Sequence, residues 1–140
     1  MPFVDLDKEI ESREGKSIKQ IFSEQGEDYF RQIESKELLE WVASQESFVM
    51  ATGGGTPCFY EGIKVINQSG LSIFLDSPLK SLLPRLEKKT DRPLLAGDLE
   101  EKKEKLAALR ASRLQYYQQA NITVEKPDLN KVMAAVRLRK

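Results

Sequence analysis

The 140-residue sequence contains no histidine, a single cysteine and no net charge. Without histidine, any metal ion would depend on oxygen ligands, which favours magnesium over zinc. One cysteine, Cys58, cannot form a disulfide within the chain. Because the 22 basic and 22 acidic side chains cancel, the sequence lacks the basic stripe that a nucleic-acid-binding protein needs. A nucleic acid is therefore not an expected partner.

Long apolar runs are also missing, and charged residues make up 31% of the chain, so we expect no membrane span. No charged and then apolar leader precedes the first strand-like segment, which leaves a reducing cytoplasm as the expected compartment. A domain of about this length buries roughly 70% of the surface of its unfolded chain. We therefore expect one globular domain over residues 1–140.

The chain alternates short β-prone runs with segments of helical patterning. The β-prone runs are Pro2 to Leu6, Ser47 to Ala51, Leu71 to Leu75 and Asn121 to Val124. This alternation predicts an α/β fold with a parallel sheet flanked by helices. The segment from Lys88 to Gly97 has neither period and ends in glycine, so it predicts an exposed loop, with a mobile lid as its functional interpretation.

Helix-end signals divide the segments between the strands. Ser17 is expected to cap a helix that Gly26 ends, and a second helix is expected from Glu27 to Ala43. Further helices are predicted from Pro78 to Leu86, from Glu100 to Gln119, and from a cap at Asp128 through Arg139.

Two carboxylates, Asp5 and Asp7, stand where the first apolar run ends. On a strand, a spacing of two residues would aim both side chains to the same side, and the carboxyl ends of parallel strands are where α/β folds bind ligands. The alternative is structural, with Asp7 capping the next helix and Asp5 solvated. Both interpretations stay open on these residues alone.

The run Thr52-Gly53-Gly54-Gly55 directly follows the second strand. Three glycines there allow close approach of a ligand to backbone amides, although a flexible strand-to-helix turn is the alternative. Arg31 and Arg113 are candidates for binding an anion, but each stands in a helical segment where an exposed arginine is the ordinary outcome.

Two glycine-containing segments fail the Walker A pattern for phosphate binding. Gly15-Lys16-Ser17 would need a glycine five positions before Gly15, and that position holds Ile10. We therefore predict a helix end followed by a new cap. The triple glycine is followed by Thr56 and Pro57, without a lysine.

Taken together and in order, several segments resemble the shikimate kinase family over nearly the whole chain. They are Pro2-Phe3-Val4-Asp5-Leu6-Asp7, Arg13-Glu14-Gly15, Ile21-Phe22, Gly26-Glu27, Phe30-Arg31-Gln32-Ile33-Glu34, Thr52-Gly53-Gly54-Gly55 and Arg92-Pro93-Leu94-Leu95. The resemblance implies a P-loop-type, nucleoside monophosphate kinase-like fold. It also implies transfer of the γ-phosphoryl group of ATP to the 3-hydroxyl of shikimate.

The resemblance implies a shikimate-binding region over about residues 7–60. In it, Asp7 would hold substrate hydroxyls and act as base or orienter, and Arg31 with Arg113 would grip the substrate carboxylate. The amides of Gly53, Gly54 and Gly55 would line the pocket, and the side chains that would shape and brace it are Phe22, Phe30 and Glu34. The family usually has proline two residues after the second arginine, where this chain has Gln115.

The resemblance also implies an ATP and Mg²⁺ site. Arg92 would be the lid arginine that reaches the transferring phosphate, within a lid over about residues 88–97. Arg85 would flank adenine together with Lys126 and Pro127, and Asp5 would support magnesium indirectly. A complete protein of this kind would be a monomer in the cytoplasm.

Family members usually begin with a strand and a Gly-x-x-x-x-Gly-Lys loop, ahead of the segment matched by Pro2 to Asp7. The 140 residues contain neither, so we expect the family fold with its N-terminal strand, loop and helix missing. We then expect weak ATP binding and an interrupted sheet between the second and third runs. An internal methionine taken as the start, or an equivalent truncation, is favoured over a naturally shortened protein.

Two other functions compete with a shikimate kinase. One is a catalytically inactive, shikimate-binding or regulatory paralogue that lacks the phosphate-binding loop. The other is a related kinase for another sugar acid or polyol, which the paired arginines and the triple glycine make the weaker hypothesis.

Overall fold

The structure is a computed structural model that describes residues 1–77 and 99–138. These residues belong to two compact units, one from Met1 to Val65 and one that begins at Ile66. The single domain expected from the sequence stays a prediction. Several predicted features lie outside the described residues, namely the helix from Pro78 to Leu86, the loop from Lys88 to Gly97, Arg85, Arg92 and Arg139.

The first unit contains a short parallel sheet and two helices in sequence. Its elements are β1 (Phe3–Asp5), α1 (Leu6–Glu14), α2 (Ile18–Ala43), β2 (Val49–Ala51) and a 3-10 turn (Thr56–Cys58). β1 and β2 pair in parallel, with Phe3 opposite Val49 and Asp5 opposite Ala51. The apolar core of this unit consists of Val4, Leu6, Ile10, Ile21, Phe30, Leu38 and Ile63.

The junction between α1 and α2 confirms the rejection of a Walker A loop at Gly15. Gly15 adopts a left-handed φ of 68° and its N–H donates to the Glu11 carbonyl at 2.9 Å, which ends α1. Ser17 then caps α2 in a capping box, where its hydroxyl accepts from the Gln20 N–H and the Gln20 side chain accepts from the Ser17 N–H. This segment is a helix end followed by a helix start, as predicted.

Gly26 interrupts α2 with φ 84° and ψ 171°, values that only glycine adopts readily. The predicted boundary at Gly26 is therefore confirmed as a sharp break within one long helical segment. Beyond this break, α2 buries Phe30, Arg31, Glu34 and Leu38. A buried arginine and a buried glutamate on one helix need partners, and these partners define the site described below.

The second unit has a second parallel pair of strands. Its elements are β3 (Ile73–Asp76), α4 (Leu99–Tyr117), β4 (Ile122–Glu125) and α5 (Leu129–Leu138), and the helix α3 (Gly62–Ser69) precedes them. Ile73 pairs with Ile122, and Asp76 pairs with Glu125. Asp128 caps α5 as predicted, because its Oδ1 accepts from the Lys131 N–H at 2.8 Å.

A polar cluster fixes the register of β3 against β4 at the start of the two strands. The Ser72 N–H donates to Asn121 Oδ1 at 3.0 Å, and the Asn121 N–H donates to Ser72 Oγ at 2.8 Å. Asn67 on α3 donates from Nδ2 to the Gln119 carbonyl at 2.9 Å. These reciprocal bonds satisfy backbone groups that precede the strand ladder.

All four predicted strands are confirmed within a residue or two of their expected ends. Among the described residues they form two separate two-stranded sheets, β1 with β2 and β3 with β4. The expected interruption of one sheet between the second and third runs stays a prediction. No helix in the described part of the chain is long and apolar enough to cross a membrane.

Candidate functional site

Asp5 and Asp7 take different positions because β1 ends at Asp5 and α1 begins at Leu6. Asp5 caps α1, with its Oδ1 accepting from the Lys8 N–H at 3.3 Å. Asp7 lies in the first turn of the helix. The expectation that a strand period aims both carboxylates alike is therefore wrong, and the structural alternative was wrong about which aspartate caps the helix.

Arg31 is buried, with 5% of its surface exposed, so the alternative of an ordinary exposed helix arginine is wrong. Its Nη1 donates to Glu34 Oε1 at 3.0 Å, and its Nη2 donates to Glu27 Oε2 at 3.1 Å. Its Nε is buried without a hydrogen-bond partner among the described residues. A guanidinium binds a carboxylate best through two parallel N–H groups, and the edge formed by Nε and Nη2 has that geometry.

Aromatic rings and the triple glycine hold the guanidinium of Arg31 in place. Its Cζ lies 4.4 Å from the centre of the Phe59 ring and 5.3 Å from that of Phe30, within the range of cation–π attraction. A Cβ added to Gly55 would lie 2.6 Å from the same Cζ. Any side chain at position 55 would collide with the guanidinium of Arg31, so glycine is the residue that fits there.

Three side-chain oxygens converge beside Gly53. A Cβ added there would lie 3.1 Å from Asp7 Oδ1, 3.4 Å from Glu34 Oε2 and 3.5 Å from Thr56 Oγ1. Thr56 donates from Oγ1 to Glu34 Oε2 at 2.9 Å. Asp7 and Glu34 thus approach each other across a glycine that leaves space for both.

Burial raises the pKa of Glu34, because removing a carboxylate from water disfavours its charged form. The charge and hydrogen bond of Arg31 and the hydroxyl of Thr56 act in the opposite direction, and the negative charge of Asp7 adds to the increase. Burial has the larger effect on the pKa of Glu34, although its carboxylate accepts hydrogen bonds from Arg31 and Thr56.

The structure brings together four of the predicted site residues in the first unit: Asp7, Arg31, Gly53 and Gly55. Gly54 stands in the same loop, where its carbonyl accepts a weak bond from the Cys58 thiol at 3.8 Å. Phe22 packs on Phe30 with ring centres 4.9 Å apart, and their role in shaping a pocket stays a prediction. No sequence pattern indicates Thr56 and Phe59, which reach Glu34 and Arg31 from distant positions in the chain.

The other predicted site residues belong to the second unit. Arg113 is a half-buried residue of α4. Lys126 and Pro127 follow β4, with Lys126 at a left-handed φ of 44° and its N–H donating to the Asp76 carbonyl at 3.0 Å. Asp76 also pairs with Arg110 at 2.7 Å, a contact that no sequence pattern indicates.

A shallow hollow of about 520 Å³ lies at the carboxyl ends of β3 and β4. It is lined by Asp76, Ser77, Ala107, Arg110, Ala111, Leu114, Glu125 and Lys126. Residues 1–77 and 99–138 include no group of three acidic or cysteine side chains that could hold a metal ion. The indirect role of Asp5 in magnesium binding stays a prediction.

Gly55→Ala is expected to weaken anion binding at Arg31 without backbone strain, because φ is −89° at Gly55. The added methyl group would displace the guanidinium, and overpacking of about 1–3 kcal/mol corresponds to a loss on the order of tenfold. Calorimetric titration with shikimate, the substrate that the family resemblance implies, measures the loss. Gly70→Ala is the matched control, since nothing lies within 4 Å of the added Cβ there. Equal affinities in the two variants would contradict the role given to Gly55.

Solved structures of similar fold come from shikimate kinases. The crystal structure of the Bacteroides thetaiotaomicron shikimate kinase matches with a TM-score of 0.84 and 33% identity, over 99% of this chain and 81% of that one. Shikimate kinase from Acinetobacter baumannii in complex with shikimate matches with a TM-score of 0.86 and 32% identity, over 99% and 76%. The chain is thus an α/β protein of the P-loop, nucleoside monophosphate kinase-like class.

Sequence comparisons identify the family within this class. The family model for shikimate kinase matches residues 1–138. A shikimate kinase from Chlorobium chlorochromatii is 44% identical in an alignment of 129 residues that covers 88% of this chain and 67% of that protein. One from a Sulfurihydrogenibium species is 40% identical over 124 residues, 89% of this chain and 72% of that protein. The chain belongs to the shikimate kinase family.

Proposed function

We propose that this chain acts as a shikimate kinase, in which the first-unit site binds shikimate and presents its 3-hydroxyl to the γ-phosphoryl group of ATP. The observation that carries the proposal is the buried Arg31, whose Nε has no partner among the described residues. Burying a guanidinium costs free energy, and binding a carboxylate offsets that cost. A family whose members are named for shikimate supplies a ligand with that group.

The substrate carboxylate would lie along the Nε and Nη2 edge of Arg31. Glu27 bonds Nη2 there with 43% of its side chain exposed, so it can move aside into water at little cost. Arg113 is the second arginine proposed for this carboxylate. This role rests on the family resemblance alone.

Asp7 is the residue proposed to act on the reacting hydroxyl. It lies in the first turn of α1, just after the carboxyl end of β1, and its Oδ1 faces the Gly53 backbone. A carboxylate in this place can accept hydrogen bonds from substrate hydroxyls and take the proton of the attacking oxygen. The backbone of Gly53 and Gly54 would line the floor of the same pocket.

The hollow in the second unit is proposed for the adenosine part of ATP, and the triple glycine is not proposed for its phosphates. Lys126 lines this hollow, and its volume lies within the range of small-molecule sites. Gly55, however, accommodates the guanidinium of Arg31, and no lysine follows the triple glycine. The proposed roles of Arg85 and Arg92, of Mg²⁺ supported by Asp5, and of a monomer in the cytoplasm rest on the family resemblance. When bound, ATP supplies the phosphoryl group.

Comparing shikimate with its methyl ester tests the proposed carboxylate site. The ester keeps the ring and hydroxyls but removes the charge, and a charge-assisted hydrogen bond contributes about 1.5–3 kcal/mol, so we expect about ten- to a hundredfold weaker binding. Calorimetric titration of both compounds provides the measurement. Equal affinity for acid and ester would exclude Arg31 as a carboxylate receptor.

A further inference from the structure

Thr56 reaches the candidate site from a position that the family motifs do not include. It begins the 3-10 turn after the triple glycine, and only 3% of its surface is exposed. Its hydroxyl donates to Glu34 Oε2 at 2.9 Å, while Arg31 Nη1 donates to the other oxygen, Oε1, at 3.0 Å. The Glu34 carboxylate is therefore held from both sides.

The backbone fixes where the Thr56 hydroxyl lies. The Thr56 N–H donates to the Gly53 carbonyl at 3.1 Å, and Pro57 restricts the turn that follows. Gly62 packs so closely that a Cβ added to it would lie 2.9 Å from the Thr56 carbonyl carbon. With its main chain fixed on both sides, the β-branched side chain has few rotamers available.

We propose that Thr56 is a positioning residue, whose hydroxyl fixes the Glu34 carboxylate so that Glu34 in turn holds Arg31 in the orientation that receives the substrate carboxylate. This inference rests on the proposed function. Without the hydroxyl, the carboxylate can rotate about its last bond, and the guanidinium loses its alignment with the pocket.

The charges around Glu34 explain why a hydroxyl serves this position better than another charged group. Asp7 approaches Glu34 from α1. Arg31 lies on α2 together with Glu34, and Glu27 reaches Arg31 from one turn earlier on that helix. Glu27 thus shares the guanidinium with Glu34, and the negative charge of Asp7 acts on Glu34. A neutral donor stabilises ionised Glu34 without adding charge that would compete with Arg31 for an anionic ligand.

The test compares Thr56→Val, Thr56→Ala and Thr56→Ser in the whole chain. Valine keeps the shape of threonine and loses the hydroxyl, alanine loses both, and serine keeps the donor. Shikimate binding is measured at about pH 8, because protonation of Glu34 would also reduce its repulsion of the ligand and obscure the result. We expect affinity to fall about three- to thirtyfold in the valine and alanine variants and to be restored in the serine variant.

A second measurement follows the carbon-13 resonance of the Glu34 carboxyl against pH. The Thr56 hydroxyl lowers the pKa of Glu34, so its removal should move the titration to higher pH in the valine and alanine variants and leave the serine variant unchanged. A role confined to packing would not move this titration. If either folded variant binds shikimate like the parent protein, with the titration unmoved, the proposal is overturned.

The two measurements also separate this inference from the proposed function. A parent chain that does not bind shikimate would overturn the proposed function and the substrate half of this inference. The Glu34 titration would still decide whether Thr56 holds the carboxylate, since it needs no ligand. If the valine variant does not fold, the alanine variant supplies the same comparison with less steric demand.

Discussion

Arg31→Ala is expected to weaken shikimate binding on the order of tenfold to a hundredfold, because the charge-assisted bonds lost are worth about 1.5–3 kcal/mol each. The same change should destabilise the fold. Arg31 and Glu34 pair with 5% and 3% of their side chains exposed, and removing one partner of a buried pair costs about 3–5 kcal/mol. Binding and stability must therefore be separated in the experiment.

A double variant separates them. Arg31→Ala combined with Glu34→Gln removes the guanidinium and also the carboxylate that would be left unpaired. We expect thermal unfolding to show that the double variant regains part of the lost stability, while calorimetry shows no regained affinity. Arg137→Ala, at an exposed position near the end of α5, is the control for loss of an arginine. If the stable double variant binds shikimate normally, Arg31 is a structural residue.

The sequence predicts the parts of the fold that depend on local signals. The capping box of Ser17 and Gln20 and the left-handed glycines at Gly15 and Gly26 act within one or two turns of helix. Each predicted boundary is accordingly close to the observed one. The exception is the start of α1 at Leu6, because this last residue of the predicted strand run already belongs to the helix.

The candidate site is less accessible to sequence reasoning because its contacts are long-range. Arg31 resembles any polar residue of an amphipathic helix, and its burial depends on Gly55 and Phe59, which are more than twenty residues away. The hydrogen bond from Thr56 to Glu34 spans 22 residues. Neither periodicity nor a spacing rule connects such positions. The family resemblance predicted Arg31 and Gly55, while Thr56 and Phe59 became visible only in three dimensions.

Asp7→Asn is expected to have the largest effect on catalysis. Asparagine has nearly the same size and can still hydrogen-bond to substrate hydroxyls, but it can neither take a proton nor supply the negative charge of a base. Positioned general bases contribute about 10²–10⁴-fold to rate, so kcat should fall by about that factor. KM for shikimate should change by less than about tenfold, because the lost interaction acts mainly in the transition state.

Steady-state kinetics with shikimate as the varied substrate measure both constants, and Asp28→Asn, at an exposed position of α2, is the matched control. Asp7 lies near Glu34 beside Gly53, which makes Glu34 a candidate for an alternative base. The kcat of the Asp7→Asn variant therefore also tests whether Glu34 can replace Asp7. Burial raises the pKa of Glu34, but Arg31 and Thr56 occupy its two oxygens. Glu34 is therefore poorly placed to accept a substrate proton, and we expect no compensation. An Asp7→Asn variant with unchanged kcat would show that Asp7 only orients the hydroxyls, and that the proton leaves the attacking oxygen by another route.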